Sequence, residues 1–499
     1  MDAENLIFRS FYAVTLAVTV GWLFRTSMGR EHGEGFNQQT LTGKDLGRET
    51  PVIATPLYLP LALGTVLILC CLFDGPREGF GFFLSLSLDT VILLSLFYIP
   101  LLLFLPLLRR YFSARCCAAA WILPPLLFIY PATILGFGKT GFSQPLLTLS
   151  LPSRLFPFLL ALWLTGFLVV FGGKVFLHLR FRRALLSPSR PVTEERILTI
   201  WQEELERTQY KRKVQLVTSP AAASPLSMGM TDKSRVVVLP DRPLTDRELM
   251  WIFRHEVRHL QRRDVDTKVF LAFAVAFCWF NPLMWLAVRK AAQDLELSCD
   301  EMVVEGMSEA DRREYADLLL DTAWDGRGFT TCLSAGAEAL RYRLGNVVQK
   351  RTKRTGTYLL AGMMFLCVMA FGLVAVTSGQ APLSETLLAS AELADKEQTF
   401  FYKGRDYTLP PGQEGALLDY LGTLEAEQLV STKTLNQNYD SVLDLLLFLE
   451  TPEGPRIMQM SVDTLEVSPD WHSRSTYYLL RSDVDWDYLE SLFFPERQS

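Results

Sequence analysis

Several runs of roughly 20 residues in this 499-residue chain carry almost no charge, the length at which an apolar helix crosses a bilayer. We read six such helices, at about Leu6–Phe24, Val52–Phe73, Phe80–Leu108, Cys116–Leu135, Leu155–Leu177 and Tyr358–Val376. A purely soluble enzyme, a disordered chain and a fibrous protein are excluded at this step. The first run does not read as a cleaved signal peptide. Its leader, Met1 to Asn5, is acidic, and no small-residue cleavage site follows. The net charge of −5 gives no bias toward nucleic acid, and no direct nucleic-acid binding is expected. All eight cysteines lie at or before Cys367, so the C-terminal part has no disulfide framework.

Basic clusters orient the chain in the lipid bilayer. Arg109, Arg110 and Arg115 lie between the third and fourth runs; Arg180, Arg182, Arg183 and Arg190 follow the fifth; Lys350, Arg351, Lys353 and Arg354 precede the sixth. All fall on one side if the N-terminus is extracytoplasmic. The expected organisation is then N-terminal membrane helices over 1–177, a cytoplasmic domain over 178–356, a last membrane helix over 357–377 and an extracytoplasmic domain over 378–499. That last segment has 8 Lys/Arg against 21 Asp/Glu, which suits export. One further apolar stretch, Val269–Val288, is long enough to cross. A crossing would place the last basic cluster outside, so we read it as buried, re-entrant or interfacial. Asp89, inside the third run, is either a coupling element or a partnered structural carboxylate.

Two of only five histidines fall in H-E-V-R-H, at His255 and His259. Thr245 and Glu248 form a capping-box pattern ahead of Leu249, Trp251, Ile252 and Phe253, which predicts a helix from near Asp246 to about Arg263. At 3.6 residues per turn the two imidazoles share a face and can hold one Zn2+ ion, with Glu256 beside them as general base. Catalytic zinc needs a third protein ligand. His32 and His178 flank apolar runs and His472 is predicted outside, so a carboxylate must serve. Asn281-Pro282 starts a second helix and Gly306 stops it. Glu296 and Asp300 share one face of that helix, as a zinc ligand and as the acceptor for a ligand imidazole. A solvated acidic face, with Asp294 and Glu301 nearby, would look the same.

H-E-V-R-H-L-Q-R-R-D, then N-P-L-M-W, then E-L-S-C-D-E resembles the BlaR/MecR-type membrane metallopeptidases over roughly residues 160–376. The resemblance implies a gluzincin zinc-metallopeptidase domain facing the cytoplasm between membrane helices, and it makes Glu296 the third zinc ligand. The fold class expected is therefore a polytopic α-helical membrane protein with an inserted α+β gluzincin domain and a small C-terminal α/β domain. Ser224–Gly229 and Arg235–Pro240 resemble the family's segment ahead of the zinc helix, whose edge strand pairs with extended substrate; Val236, Val237 and Val238 are the expected substrate-binding positions. The resemblance also implies signal transduction by cleavage of the protein itself or of a winged-helix repressor of the BlaI/MecI type. Cys299, within E-L-S-C-D, reads as a buried apolar residue.

The chain departs from that family's best-known members. Its C-terminal segment is too short for a penicillin-binding sensor domain and has no S-x-x-K, nor does the rest of the chain. The single K-T-G, Lys139 to Gly141, reads as coincidence, as does the G-F-G-K-T run that overlaps it. We read the segment as a small α/β module: a hairpin over Phe400–Leu409, a helix over Gly415–Leu424, strands over Leu443–Glu450, Pro455–Val467 and Thr476–Leu480, and a closing helix over Asp485–Phe493. Its many Tyr and Trp residues read as core before ligand groove. Arg254, Arg258, Arg262 and Arg263 read as a solvated basic face before one that meets anionic lipid headgroups or an acidic partner. The Lys350-Arg351 and Lys353-Arg354 pairs read as membrane anchoring before self-cleavage. Two other functional classes stay open: a receptor with a purely structural zinc site, and a constitutive quality-control protease.

Overall fold

Among the described residues, five apolar helices open the chain: α1 (Ala3–His32), α2 (Leu59–Asp74), α3 (Pro76–Tyr111), α4 (Ala114–Ile129) and α5 (Phe156–Leu186). The computed structural model describes residues 3–32, 58–74, 76–129, 147–208, 210–231, 233–324, 337–349, 353–370, 374–402, 405–429, 443–452, 454–461, 464–470 and 476–494. Gly79–Tyr111 and Phe156–Leu186 are long and apolar enough to cross a bilayer; Ser10–Arg25, Leu59–Leu72 and Thr357–Ala370 are shorter apolar helices. The helix starts and ends expected at Val52 and Leu135 lie outside the described residues.

After α5 comes a mixed unit: β2 (Arg190–Pro191), α6 (Glu195–Arg207), β3 (Gln215–Ser219), β4 (Leu226–Met228), β5 (Val236–Pro240), then α7 (Asp246–Arg262) and α8 (Asp264–Phe277). The strands form a four-stranded sheet in the order β2-β3-β5-β4. This corrects one expectation. Val236, Val237 and Val238 lie in a central strand, fully buried and hydrogen-bonded to β3 on one side and β4 on the other. A strand with both edges occupied cannot accept substrate. Among the described residues the sheet's two edges are β2 and β4, and β4 is the one beside α7. Gly229, at φ 99°, makes the turn out of β4 possible, since a Cβ there would lie 2.0 Å from the Ser234 carbonyl oxygen.

The stretch Val269–Val288 is two helices, not one. α8 enters the apolar bundle, breaks over Cys278–Asn281, and α9 (Pro282–Val303) returns. Phe270, Phe273, Phe277, Met284, Ala287 and Leu295 join α1–α5 and α12 (Thr357–Ala370) in one continuous core. A break surrounded by apolar side chains must satisfy its own polar groups. Trp163 Nε1 donates to the Phe277 carbonyl at 2.9 Å, and Trp285 Nε1 donates to that of Trp279 at 2.8 Å. Asn281 caps α9 by accepting from Leu283 N and donates to Ser95 Oγ of α3 at 2.9 Å. The helix start expected at Asn281-Pro282 is present, and α9 ends at Val303, just before Gly306. α10 (Glu309–Trp324) and α11 (Ala337–Val348) complete this part.

The final apolar helix, α12, ends at Ala370, whereas the sequence suggested a helix to Val376; Val374 already lies in a strand. That strand, β6 (Val374–Pro382), straddles the boundary expected at 377 and pairs in parallel with β1 (Leu147–Ser150), which lies between α4 and α5. The ten-stranded sheet continues through β7 (Glu392–Leu393), β8 (Thr399–Tyr402), β9 (Arg405–Thr408), β10 (Glu425–Leu429), β11 (Leu443–Thr451), β12 (Gly454–Ser461), β13 (Thr464–Ser468) and β14 (Thr476–Leu480). The run expected as one strand over Pro455–Val467 is a hairpin of β12 and β13. α13 (Glu414–Thr423) and α14 (Trp486–Phe493) supply Leu417, Leu421, Leu489 and Phe493 to a core shared with the sheet. Tyr407, Tyr420, Tyr478 and Trp486 pack against that core, while Trp471 and the turn Lys403-Gly404 lie outside the described residues.

Gly166 on α5 leaves room for the Trp279 indole; a Cβ there would lie 2.1 Å from Trp279 Cε2. Gly166→Ala should therefore destabilise the hairpin by about 1–3 kcal/mol, read as a lower thermal midpoint with α9 amides exchanging faster.

Candidate metal centre

Local chemistry places the first two histidines. The Thr245 side chain accepts from Glu248 N, and the Glu248 carboxylate accepts from Thr245 N at 2.7 Å, so the capping box is complete and α7 begins where the sequence placed it. The apolar face of α7, with Leu249, Ile252, Phe253, Val257 and Leu260, packs into the core of the mixed unit. That fixes His255 and His259 on one side, one turn apart. Arg263 then adopts a left-handed backbone (φ 53°), which ends α7 and starts α8 immediately.

That abrupt turn brings Asp264 beside His259, whose Nδ1–H donates to Asp264 Oδ2 at 2.6 Å. His255 Nδ1–H donates to the Tyr315 hydroxyl at 2.8 Å, and the Tyr315 O–H donates to Asp300 Oδ1 at 2.8 Å. With both Nδ1 atoms holding protons, the two Nε2 lone pairs face each other across 2.9 Å. Glu296 Oε2 stands 3.4 Å from His259 Nε2 and 3.8 Å from His255 Nε2. Three lone pairs converging in a buried site repel unless a cation sits among them. A tetrahedral zinc ion with bonds of about 2.0–2.1 Å needs donors about 3.3 Å apart, close to this spacing. The donor set fits a metal.

Glu296 has a second partner: Lys268 Nζ on α8 donates to Oε1 at 3.1 Å, leaving Oε2 toward the imidazoles. Asp300 is fully buried and held by Arg343 of α11 through two bonds, 2.6 and 2.8 Å. It was expected to accept directly from a ligand imidazole. Its carboxylate is 3.5 Å from His255 Nδ1, with Tyr315 bridging the two. The direct imidazole acceptor is Asp264, which the reading of the sequence missed, although it is the final residue of H-E-V-R-H-L-Q-R-R-D. Tyr315, Lys268 and Arg343 carried no motif-level signal. Their places depend on helix packing.

Among the described residues, His255, His259 and Cys299 form a group able to hold a metal, their ligand atoms within 4.8 Å of one another. The Cys299 thiol is fully buried, 3.7 Å from His255 Nδ1, on the edge of the ring that also meets Tyr315. Burial alone would raise this thiol; the two imidazoles more than offset that and bring it to about 6. Burial would likewise lower His255, yet the Cys299 and Glu296 anions bring it to about 10. Without a metal, the cluster satisfies itself with protons. Glu256, on the same helix, is buried. The arginines read as a solvated basic face are drawn inward instead: Arg254 pairs with the buried Glu204 at 3.0 Å, Arg262 approaches Asp264 at 3.4 Å, and Arg263 pairs with Asp266 at 2.6 Å.

The segment 146–347 matches the family model described as BlaR1 peptidase M56. Over this segment the chain is similar to the BlaR/MecR-type peptidases. The chain is 24% identical over 160 residues to the regulatory protein BlaR1 of Bacillus licheniformis, covering 32% of this chain and 26% of that one. It is 22% identical over 179 residues to the regulatory protein BlaR1 of Staphylococcus aureus, covering 34% and 30%. It is 26% identical over 115 residues to the methicillin resistance mecR1 protein of Staphylococcus epidermidis, covering 22% and 19%. The chain thus spans less than a third of the length of each of these relatives. The M56 match contains all the residues that meet at the cluster, from His255 to Arg343.

Burial would raise Asp300, and the Arg343 guanidinium outweighs it, holding the carboxylate below its usual range. Its ionised form therefore contributes stability above about pH 4, and that contribution is lost as pH falls through the folded value. Arg343→Gln leaves a buried charge unpaired and should cost about 3–5 kcal/mol at pH 7. Denaturant titrations should show the penalty shrinking toward acid pH, where Asp300 is neutral in the variant.

Proposed function

We propose that this M56 peptidase domain is an active zinc endopeptidase within a multi-pass membrane protein, and that it transduces an extracytoplasmic signal. The carrying observation is the convergence of His255 Nε2, His259 Nε2 and Glu296 Oε2, with Glu256 following His255 on the same helix. His255, His259 and Glu296 hold the zinc ion. A bound zinc supplies Lewis acidity toward the scissile carbonyl and the attacking water. Glu256 takes the proton from that water and passes it to the departing amine. Asp264 orients His259, and Tyr315, held by Asp300, orients His255; each keeps Nε2 free of a proton. Lys268 fixes Glu296 so that one oxygen points at the metal. Cys299 is left on the other edge of the His255 ring and outside the ligand set.

The β4 edge, Leu226–Met228, packs beside α7, and an extended substrate adds there as a further strand. This moves the substrate-binding positions from the central strand to its neighbour. The basic clusters support a cytoplasmic zinc domain, with the N-terminus and the ten-stranded sheet outside. The substrate suggested by the BlaR/MecR resemblance is a winged-helix repressor, the chain itself, or both. A buried glutamate at position 256, between the two histidines in H-E-V-R-H, favours catalysis over a purely structural zinc, which has no use for a base.

The test compares terminal peptides from cells expressing the wild type or Glu256→Gln, with zinc content measured in both purified proteins. Glu256→Gln should keep its zinc and lose turnover by about 100-fold or more. New termini should appear only with the wild type, and a cut within a repressor would identify the substrate. Identical termini across the stresses applied, at equal zinc loading, would contradict the reading.

A further inference from the structure

One helix touches both ends of the molecule. α3 runs 36 residues, or about 54 Å. Near its start, Ser85 Oγ accepts from Val376 N of β6 at 3.2 Å, and Leu84 packs with Val376 and Phe156 in a small closed cluster. At mid-length, Ser95 Oγ accepts from Asn281, the cap of α9. At its end, Arg109 Nε donates to Asp294 Oδ1 of α9 at 2.8 Å, while Trp121 Nε1 of α4 donates to Oδ2 at 2.7 Å. Asp294 is fully buried, and both its oxygens are taken.

Asp294 lies two residues before Glu296 and six before Asp300. On a helix, that turns Asp294 toward α3 and α4 and the other two toward the imidazoles. Arg109 also lies over the Tyr342 ring at 4.9 Å, and the next residue, Arg343, clamps Asp300. One guanidinium thus contacts two elements that position the donor set. A buried ion pair of this kind contributes little net stability, but it fixes one arrangement of the elements it joins.

We propose that α3 is a coupling rod. It ties β6 of the C-terminal sheet to α9, and a displacement of that sheet reaches Glu296 and Asp300 through the Arg109–Asp294–Trp121 latch. This rests on the zinc-peptidase reading for its consequence, control of proteolysis, but not for the coupling itself. The rod has built-in bending points at Pro100 and Pro106. Glu301 adds a second fastening on the same side, accepting from Ala114 N at the start of α4 at 2.8 Å.

Hydrogen exchange of the full chain in lipid nanodiscs tests this without zinc or turnover. Val376→Ala and the milder Ser85→Ala loosen the outer end; Arg109→Gln and Asp294→Asn open the latch. Each outer variant should speed exchange over residues 292–303 by roughly two- to tenfold, the worth of one lost buried contact. In the Asp294→Asn background the same outer variant should add nothing further. No change in α9 from either outer variant would overturn the proposal. So would an equal increase with and without the latch, which would mean that coupling bypasses α3. Exchange in β3 and β5 controls for general misfolding, and Ser85→Ala decides if Val376→Ala fails that control. Failure here leaves the peptidase reading standing, because that reading is judged by new termini.

Discussion

The four-residue break over Cys278–Asn281 has to satisfy its own polar groups among apolar side chains, and the rest of the structure depends on how this is done. Two indole N–H groups and one asparagine side chain meet its polar groups. An open strand or an uncapped helix end could not persist in those surroundings. Because the break is fixed against α3 and α5, α9 returns in one position. Glu296, Cys299 and Asp300 are then delivered to α7 by a helix anchored inside the apolar bundle. The site is therefore not a detachable soluble module. Its third donor is held by the bundle that would sit in lipid.

The polar interior around the histidines follows a simple electrostatic plan. Each imidazole turns its Nδ1 away from the centre of the donor set, and each Nδ1 has a fixed partner, Asp264 or Tyr315. Three of the acidic groups have a cation: Arg343 for Asp300, Lys268 for Glu296, Arg262 near Asp264. The unmatched feature is the trio of lone pairs at the centre. A bound divalent ion balances them, and in its absence protons do so, which accounts for the raised imidazoles and the lowered Cys299 thiol.

Much of this was legible from residues alone, for stated reasons. The capping box, the H-E-V-R-H spacing and Asn281-Pro282 are local signals, and local signals survive folding. The identity of the free strand edge was not legible, because Val236–Val238 and Leu226–Met228 are both short and apolar, and only pairing order separates edge from centre. The role of Asp264 depends on a left-handed arginine, a conformation that sequence rarely announces. Apolar length misplaced the end of α12, since Val374 and Val376 suit a buried strand as well as a helix. Tyr315 and Arg343 lie on helices whose approach to α7 is set by tertiary packing.

Two imidazoles and a carboxylate are the ligands proposed for the metal. X-ray absorption at the zinc edge, on the full chain purified in lipid, tests this ligand set most directly. The account predicts one zinc per chain, with only nitrogen and oxygen at about 2.0–2.1 Å and the shell altered in Glu296→Gln. A sulfur scatterer at about 2.3 Å that disappears in Cys299→Ser would make Cys299 the third ligand and contradict the account.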